Sequence, residues 1–143
     1  MEKGVDLKDA YQEQQRLLKG KEVKTIFDVG AADGRTGVRY GELFPGANVF
    51  SFEPLPNSFA KVKENEQKYD YLTGVNLAMS DKVGTTQFHL TNLKDASSIL
   101  SPNKTGSSFD RHLELKQVIE VNTTTLDSFC QEKNIDRINV LKF

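Results

Sequence analysis

The sequence Asp28-Val29-Gly30-Ala31-Ala32-Asp33-Gly34 connects an apolar segment to a segment of helical character. The apolar segment, residues 23–30, is typical of a strand that is buried on both faces of a sheet. Its final glycine allows a sharp turn, and the two alanines that follow keep that turn thin. A helix is expected over residues 35–44, so this part of the chain predicts a strand, a tight turn and a helix in succession.

The next residues repeat this alternation. A second apolar run at residues 48–53 is closed by prolines, and a helix that Asn57 or Ser58 caps is expected to extend to about residue 69. A third strand is expected over residues 71–80. Strands that alternate with helices favour a parallel sheet with right-handed crossovers. The predicted fold class is therefore α/β, with a Rossmann-like and mostly parallel sheet.

The two ends of the chain add further elements. Helical spacing of apolar residues predicts an N-terminal helix, and two β-rich runs on either side of a long loop predict a hairpin. Such long loops are often functional or mobile. Because a closing apolar strand usually leads into a crossover helix, we expect truncation on the C-terminal side. The predicted organisation is one partial domain, residues 1–143, with the N-terminal helix at 1–20 and a βαβαβ unit at 21–80. Residues 81–143 are predicted to hold the hairpin strands (85–91 and 115–124) and the loop between them (92–110). A short helix to about residue 133 and the start of a fourth core strand (137–143) are expected to follow.

Composition excludes several classes of function. The formal net charge of −1 gives no electrostatic support for nucleic-acid binding. The single cysteine, Cys130, excludes an internal disulfide, and with His89 and His112 distant from it in sequence there is no zinc-ligand spacing. No apolar run is long enough for a signal peptide or a membrane span. We therefore expect a cytoplasmic protein without metal, membrane or nucleic-acid partners.

Acidic residues end the first two strands of the predicted sheet. Asp28 precedes the thin turn, and Glu53 closes the second strand. The unpaired N–H groups of a helix that begins after Gly34 suit a carboxylate of an amino-acid-like ligand, and Asp28 adds an acceptor for its cationic part. A carboxylate at the position of Glu53 can accept hydrogen bonds from ribose hydroxyls. Because parallel strands end at one edge of a sheet, the unit at residues 21–80 is predicted to bind a cofactor with both parts.

Four blocks of the sequence resemble successive blocks of the FkbM family of methyltransferases. They are Phe27-Asp28-Val29-Gly30-Ala31-Ala32-Asp33-Gly34, Phe52-Glu53-Pro54, Asn76-Leu77-Ala78-Met79-Ser80-Asp81 and Thr125-Leu126-Asp127-Ser128. The closing Val140-Leu141-Lys142-Phe143 is similar to the start of the next block of that family, whose acidic residues would follow Phe143. The resemblance implies a class I methyltransferase fold, S-adenosylmethionine as the methyl donor, and O-methylation of a small molecule or sugar.

The resemblance also implies a role for individual residues. The turn would hold the methionine part of the donor, Glu53 with Pro54 would hold the ribose, and the end of the third strand would flank the adenine. The residues of the turn are Asp28, Gly30, Ala31, Ala32, Asp33 and Gly34, and those beside the adenine are Asn76, Leu77 and Ala78. Ser97 and Ser98, in the long loop, would approach the donor or the acceptor substrate. Neither histidine is favoured as a general base, so the catalytic residue is left unnamed.

Two alternatives stay open at this point. The chain can be an inactive or partner-completed fragment that only binds a cofactor. It can also be an NAD-dependent dehydrogenase, which is less favoured because the spacing from Gly30 to Gly34 is G-x-x-x-G rather than G-x-G-x-x-G. In addition, the charge of Asp28 would repel a pyrophosphate.

Overall fold

A computed structural model describes residues 7–91 and 115–143 of the chain, which form two sheets and four helices. The long loop predicted at residues 92–110, with Ser97 and Ser98, lies outside the described residues, and so does His112. The elements in chain order are α1 (Leu7–Leu17), β1 (Thr25–Val29), α2 (Arg35–Leu43), β2 (Asn48–Phe52), α3 (Pro56–Lys68), β3 (Leu72–Val75), β4 (Ala78–Met79), β5 (Gly84–Thr91), β6 (Leu115–Thr124), α4 (Leu126–Glu132) and β7 (Val140–Lys142).

The first sheet is parallel throughout, in the order β3-β2-β1-β7. Strand β1 lies at its centre, so that Asp28 has Ser51 beside it on β2 and Lys142 beside it on β7. The second sheet has the order β4-β6-β5, with β5 antiparallel to β6. The Rossmann-like α/β fold with a mostly parallel sheet is therefore confirmed. Strand β5 forms a hairpin with β6, and β7 lies beside β1.

Strand β1 is buried on both faces, as its composition predicts. Successive side chains of a strand point to opposite faces, and Ile26 and Phe27 are both fully buried. Ile26 packs with Tyr40 of α2 and with apolar residues of the neighbouring strands. Phe27 packs with Phe52 and with Phe129 of α4, and the last two rings meet edge to face with centroids 4.8 Å apart. The central strand thus joins two separate apolar clusters, one on each face of the sheet.

The prediction of one strand over residues 71–80 is wrong. The segment divides into β3 and β4, which belong to different sheets. Between them the chain makes a tight turn, in which the N–H of Leu77 donates to the Val75 carbonyl over 2.9 Å. The side-chain amide of Asn76 donates to the carbonyl oxygens of Glu53 (2.9 Å) and Pro54 (3.1 Å). These bonds take the chain out of the first sheet directly beside the end of β2.

The predicted cap of α3 is also wrong. The helix begins at Pro56, with Leu55 rather than Asn57 or Ser58 at the N-cap and without a side-chain cap. Proline suits the first helical position because its ring fixes a helical φ and its missing N–H is not needed there. The N–H of Leu55 donates to Oε2 of Glu53 over 2.9 Å. The Glu53 carboxylate therefore satisfies a backbone donor at the start of α3, as a capping side chain would.

Helix α2 packs closely on the sheet because glycine occupies its inner face. An added Cβ at Gly37 would lie 2.4 Å from Oγ of Ser51, and one at Gly41 would lie 1.9 Å from the ring of Tyr71. Tyr71 in turn donates its hydroxyl to the Val38 carbonyl over 3.1 Å. Among the described residues, none of the helices is both long and apolar enough to cross a bilayer.

Replacing Gly41 with alanine tests this packing. In an exposed helix the change would stabilise the protein by about 1 kcal/mol, but here the added methyl group overlaps the Tyr71 ring. We expect the free energy of unfolding, measured with urea, to fall by about 1–3 kcal/mol. Glu42→Ala, an exposed change on the same helix, is the control, and Tyr71→Leu should restore part of the loss. A Gly41→Ala protein as stable as the wild type would contradict the described packing.

Candidate functional site

The turn between β1 and α2 has a left-handed backbone at every second residue. The φ angles are 76° at Gly30, 53° at Ala32 and 87° at Gly34. The N–H groups of Gly30 and Ala31 both donate to the Phe52 carbonyl, over 3.0 and 2.9 Å, and so fasten the turn to the end of β2. Alternation of right- and left-handed residues directs backbone N–H groups into a concave surface that favours anions. Gly34 is the N-cap of α2 and provides no side-chain cap, but Oδ1 of Asp33 accepts the N–H of Arg35, the first residue of α2, over 3.1 Å.

Glu53 connects the turn that follows β1 with the turn that follows β2. Its Oε1 accepts the N–H of Ala32 over 2.8 Å, and its Oε2 accepts the N–H of Leu55 over 2.9 Å. The residue is only 6% exposed, and burial raises the pKa of its carboxyl above the ordinary value while the two N–H donors oppose that rise. Because a carboxylate offers about four acceptor positions, roughly two are left for a further ligand.

Asp28 lies beneath the turn instead of at its surface. Its side chain is fully buried, and Nζ of Lys142 forms an ion pair with Oδ1 at 3.2 Å. Burial raises the pKa of the Asp28 carboxyl, and the charge of Lys142 opposes that rise. Direct contact between Asp28 and a ligand stays a prediction. Asp28 instead holds the ammonium group of Lys142 through the ion pair. The Lys142 side chain is 32% exposed, so this ammonium lies at the edge of the site.

A cleft of about 430 Å³ opens beside the turn, between α1 and α2. That volume is within the range of small-molecule sites, roughly 300–1,000 Å³. Four of the residues around it, residues 30–33, belong to the turn that was predicted to bind the cofactor. The remaining residues were not predicted from the sequence as part of the site, and they are Tyr11, Arg35, Thr36, Arg39 and Lys142. Only Lys142 carried a sequence signal, as a lone charge inside an apolar strand.

The predicted adenine-flanking residues lie next to Glu53 but differ in exposure. Asn76 is exposed and its amide contacts the backbone of Glu53 and Pro54. Leu77 packs against the aromatic cluster of Phe27, and Ala78 is 5% exposed in β4. In the turn itself, the Asp33 carboxylate pairs with Arg35 over 2.7 Å. The structure therefore brings Glu53, Pro54 and Asn76 together, and it turns Leu77 and Ala78 inward.

A second cleft of similar volume lies between α4 and the residues that precede β7. Cys130 borders it, and burial raises the pKa of that thiol, which keeps it protonated at neutral pH. In the described part of the chain, no three His, Cys, Asp or Glu side chains are grouped so as to hold a metal ion. The polar groups that converge on one edge of the sheet are thus those beside the first cleft.

The parallel sheet and the turn at its carboxyl edge define a Rossmann-like α/β domain. The sequence profile of the methyltransferase FkbM domain matches residues 28–143, and the chain belongs to this family. It is similar to 2-O-methyltransferase NoeI of Sinorhizobium fredii (strain NBRC 101917 / NGR234), with 30% identity over 122 residues. That match covers 81% of this chain and 50% of NoeI, so the chain spans about half the length of this relative. No solved structure matches the chain.

Replacing Lys142 with methionine tests the ion pair. The change leaves the fully buried Asp28 carboxylate without its counter-charge, and breaking such a pair costs about 3–5 kcal/mol in buried sites. Because Lys142 is partly exposed, we expect the lower end, about 3 kcal/mol, in urea unfolding at pH 7. Lys24→Met, which removes an exposed lysine, is the control, and Asp28→Asn combined with Lys142→Met should recover part of the loss.

The loss should also depend on pH. Without Lys142, the pKa of Asp28 rises further in the folded state, so the folded protein holds its proton more tightly than the unfolded chain. The penalty is then present at neutral pH and disappears as the pH falls through the folded-state pKa. The stability difference between Lys142→Met and the wild type should therefore shrink between pH 7 and pH 4. A difference that is constant or grows toward low pH would contradict the buried ion pair.

Proposed function

We propose that this chain binds S-adenosylmethionine at the carboxyl ends of β1 and β2 and takes part in methyl transfer to a hydroxyl oxygen. The observation that carries the proposal is the Glu53 carboxylate, which is fixed by the N–H groups of Ala32 and Leu55 between the two turns. Membership of the FkbM methyltransferase family supports the reaction class. The similarity to NoeI, a 2-O-methyltransferase, supports oxygen as the acceptor atom.

The residues present fit a donor that has an amino-acid part and a ribose. The cleft beside Gly30 and Ala31 would take the methionine part, and Ala32 joins this cleft to Glu53. The remaining acceptor positions of the Glu53 carboxylate would receive the two ribose hydroxyls. The exposed Asn76, which is bonded to the backbone of Glu53, would lie beside the adenine. The donor would thus extend across the turn from the α2 side to the β3 side.

The chemistry that the donor supplies is an electrophilic methyl group on a sulfonium. An acceptor hydroxyl would take that methyl group, with S-adenosylhomocysteine and a proton as the other products. The role assigned to Gly30, Ala31 and Glu53 is to hold the donor in one orientation, and orientation alone can supply about 7–11 kcal/mol of a barrier. The acceptor class we propose is a small molecule or a sugar.

Calorimetric titration with S-adenosylhomocysteine tests the donor site. Replacing Glu53 with alanine removes the hydrogen bonds to ribose, and we expect weaker binding by about 1–3 kcal/mol, or roughly five- to 150-fold in Kd. Glu53→Gln should lose less, because its amide oxygen can still accept one bond. Glu64→Gln, an exposed change on α3, is the control for charge.

The same titration separates the alternatives. Tight binding of NADH without binding of S-adenosylhomocysteine would overturn the proposal in favour of a dehydrogenase. Binding of S-adenosylhomocysteine without methyl transfer to any hydroxyl acceptor would favour a cofactor-binding fragment. An affinity that Glu53→Ala leaves unchanged, in a variant whose circular dichroism matches that of the wild type, would mean that the ribose lies elsewhere.

A further inference from the structure

We propose that Arg39 and Lys142 bind the carboxylate of the donor's methionine part in the cleft between α1 and α2. This inference rests on the proposed function and names the side chains that it leaves open. The two cations border the same cleft as Gly30 and Ala31 but come from different elements, α2 and β7. A carboxylate placed against the turn would have both cations among its neighbours.

Arg39 projects into the cleft from the second turn of α2. Its guanidinium lies over the ring of Tyr11, 5.8 Å from the centroid, and the nearest carboxylate oxygen of Glu42 is 3.9 Å away. Tyr11 is itself held edge to face against the buried Tyr40, with ring centroids 5.3 Å apart. A flat guanidinium resting on an aromatic ring keeps its N–H groups in the plane free for acceptors. These contacts place the Arg39 guanidinium beside Tyr11 at the cleft.

Lys142 borders the cleft from β7. Its ammonium group contacts the buried Asp28 carboxylate at 3.2 Å, and its side chain stays 32% exposed. An ammonium has three N–H donors, so the contact with Asp28 leaves others that can be directed toward the cleft. Asp28 thus holds Lys142 in place and does not need to touch the ligand itself.

The three cations around the cleft differ in how far nearby carboxylates neutralise them. Three cations border it, Arg35, Arg39 and Lys142. Arg35 is paired with Asp33 over 2.7 Å, and Lys142 is paired with Asp28. Arg39 is the least neutralised of the three, because Oε2 of Glu42 is 3.9 Å away and both of these side chains are about half exposed. A singly charged carboxylate therefore suits this cleft better than a phosphate or pyrophosphate, which carries more negative charge.

The test compares two compounds that differ only in the carboxylate. S-adenosylmethionine and its decarboxylated analogue are titrated calorimetrically into the wild-type chain and into Arg39→Gln. We expect the wild type to bind the intact compound more tightly by about tenfold or more, because two cations contact the carboxylate, and Arg39→Gln to lose part of that preference while Lys142 keeps the rest. Arg16→Gln, which removes an exposed cation from α1, is the control and should keep the full preference.

The outcomes separate this inference from the proposed function. If Arg39→Gln prefers the intact compound as strongly as the wild type does, the carboxylate is bound elsewhere and the inference is overturned. A wild type that binds the two compounds equally overturns it as well, while the donor site itself stands. If the wild type binds neither compound, the proposed function fails and the inference fails with it. Arg39 is an exposed residue, so the variant is expected to fold.

Discussion

The hydrogen bond from the Ala32 N–H to the Glu53 carboxylate joins the ends of the two central strands. It holds Ala32 in a left-handed conformation that a residue with a side chain rarely adopts. The same carboxylate stabilises the start of α3 by accepting the N–H of Leu55. The backbone carbonyl of Glu53 accepts a hydrogen bond from the side-chain amide of Asn76. One buried acid therefore sets the geometry of three chain segments at the carboxyl edge of the sheet, where an open α/β sheet binds its ligands.

A buried charge supports this edge from below. Asp28 has no exposed surface, and its ion pair with Lys142 requires β7 to lie beside β1. Polar groups are therefore arranged in two levels, with the Asp28–Lys142 pair beneath the turn and the backbone N–H groups with Glu53 above it. The aromatic cluster on the opposite face, centred on Phe27, fixes the sheet without contributing polar groups to the site.

Local sequence patterns account for most of the fold and part of the site. Apolar runs and the glycine turn predicted the parallel strands and the place where β1 ends, because those features depend on near neighbours in the chain. The cap of α3 and the break between β3 and β4 were mispredicted because Glu53 and Asn76 act there through bonds to distant backbone. Tyr11, Arg39 and Lys142 were missed for a related reason, since only packing of α1 on α2 and pairing of β7 with β1 bring them to the turn.

The central claim is that the donor lies across the turn, with its ribose on Glu53 and its methionine part in the cleft beside Gly30. The most direct measurement is a crystal structure of the chain with S-adenosylhomocysteine. The account predicts both ribose hydroxyls within hydrogen-bonding distance of the Glu53 carboxylate and the amino-acid part between α1 and α2. Ligand density in the cleft between α4 and the residues before β7, with the Glu53 carboxylate contacting only Ala32 and Leu55, would contradict it.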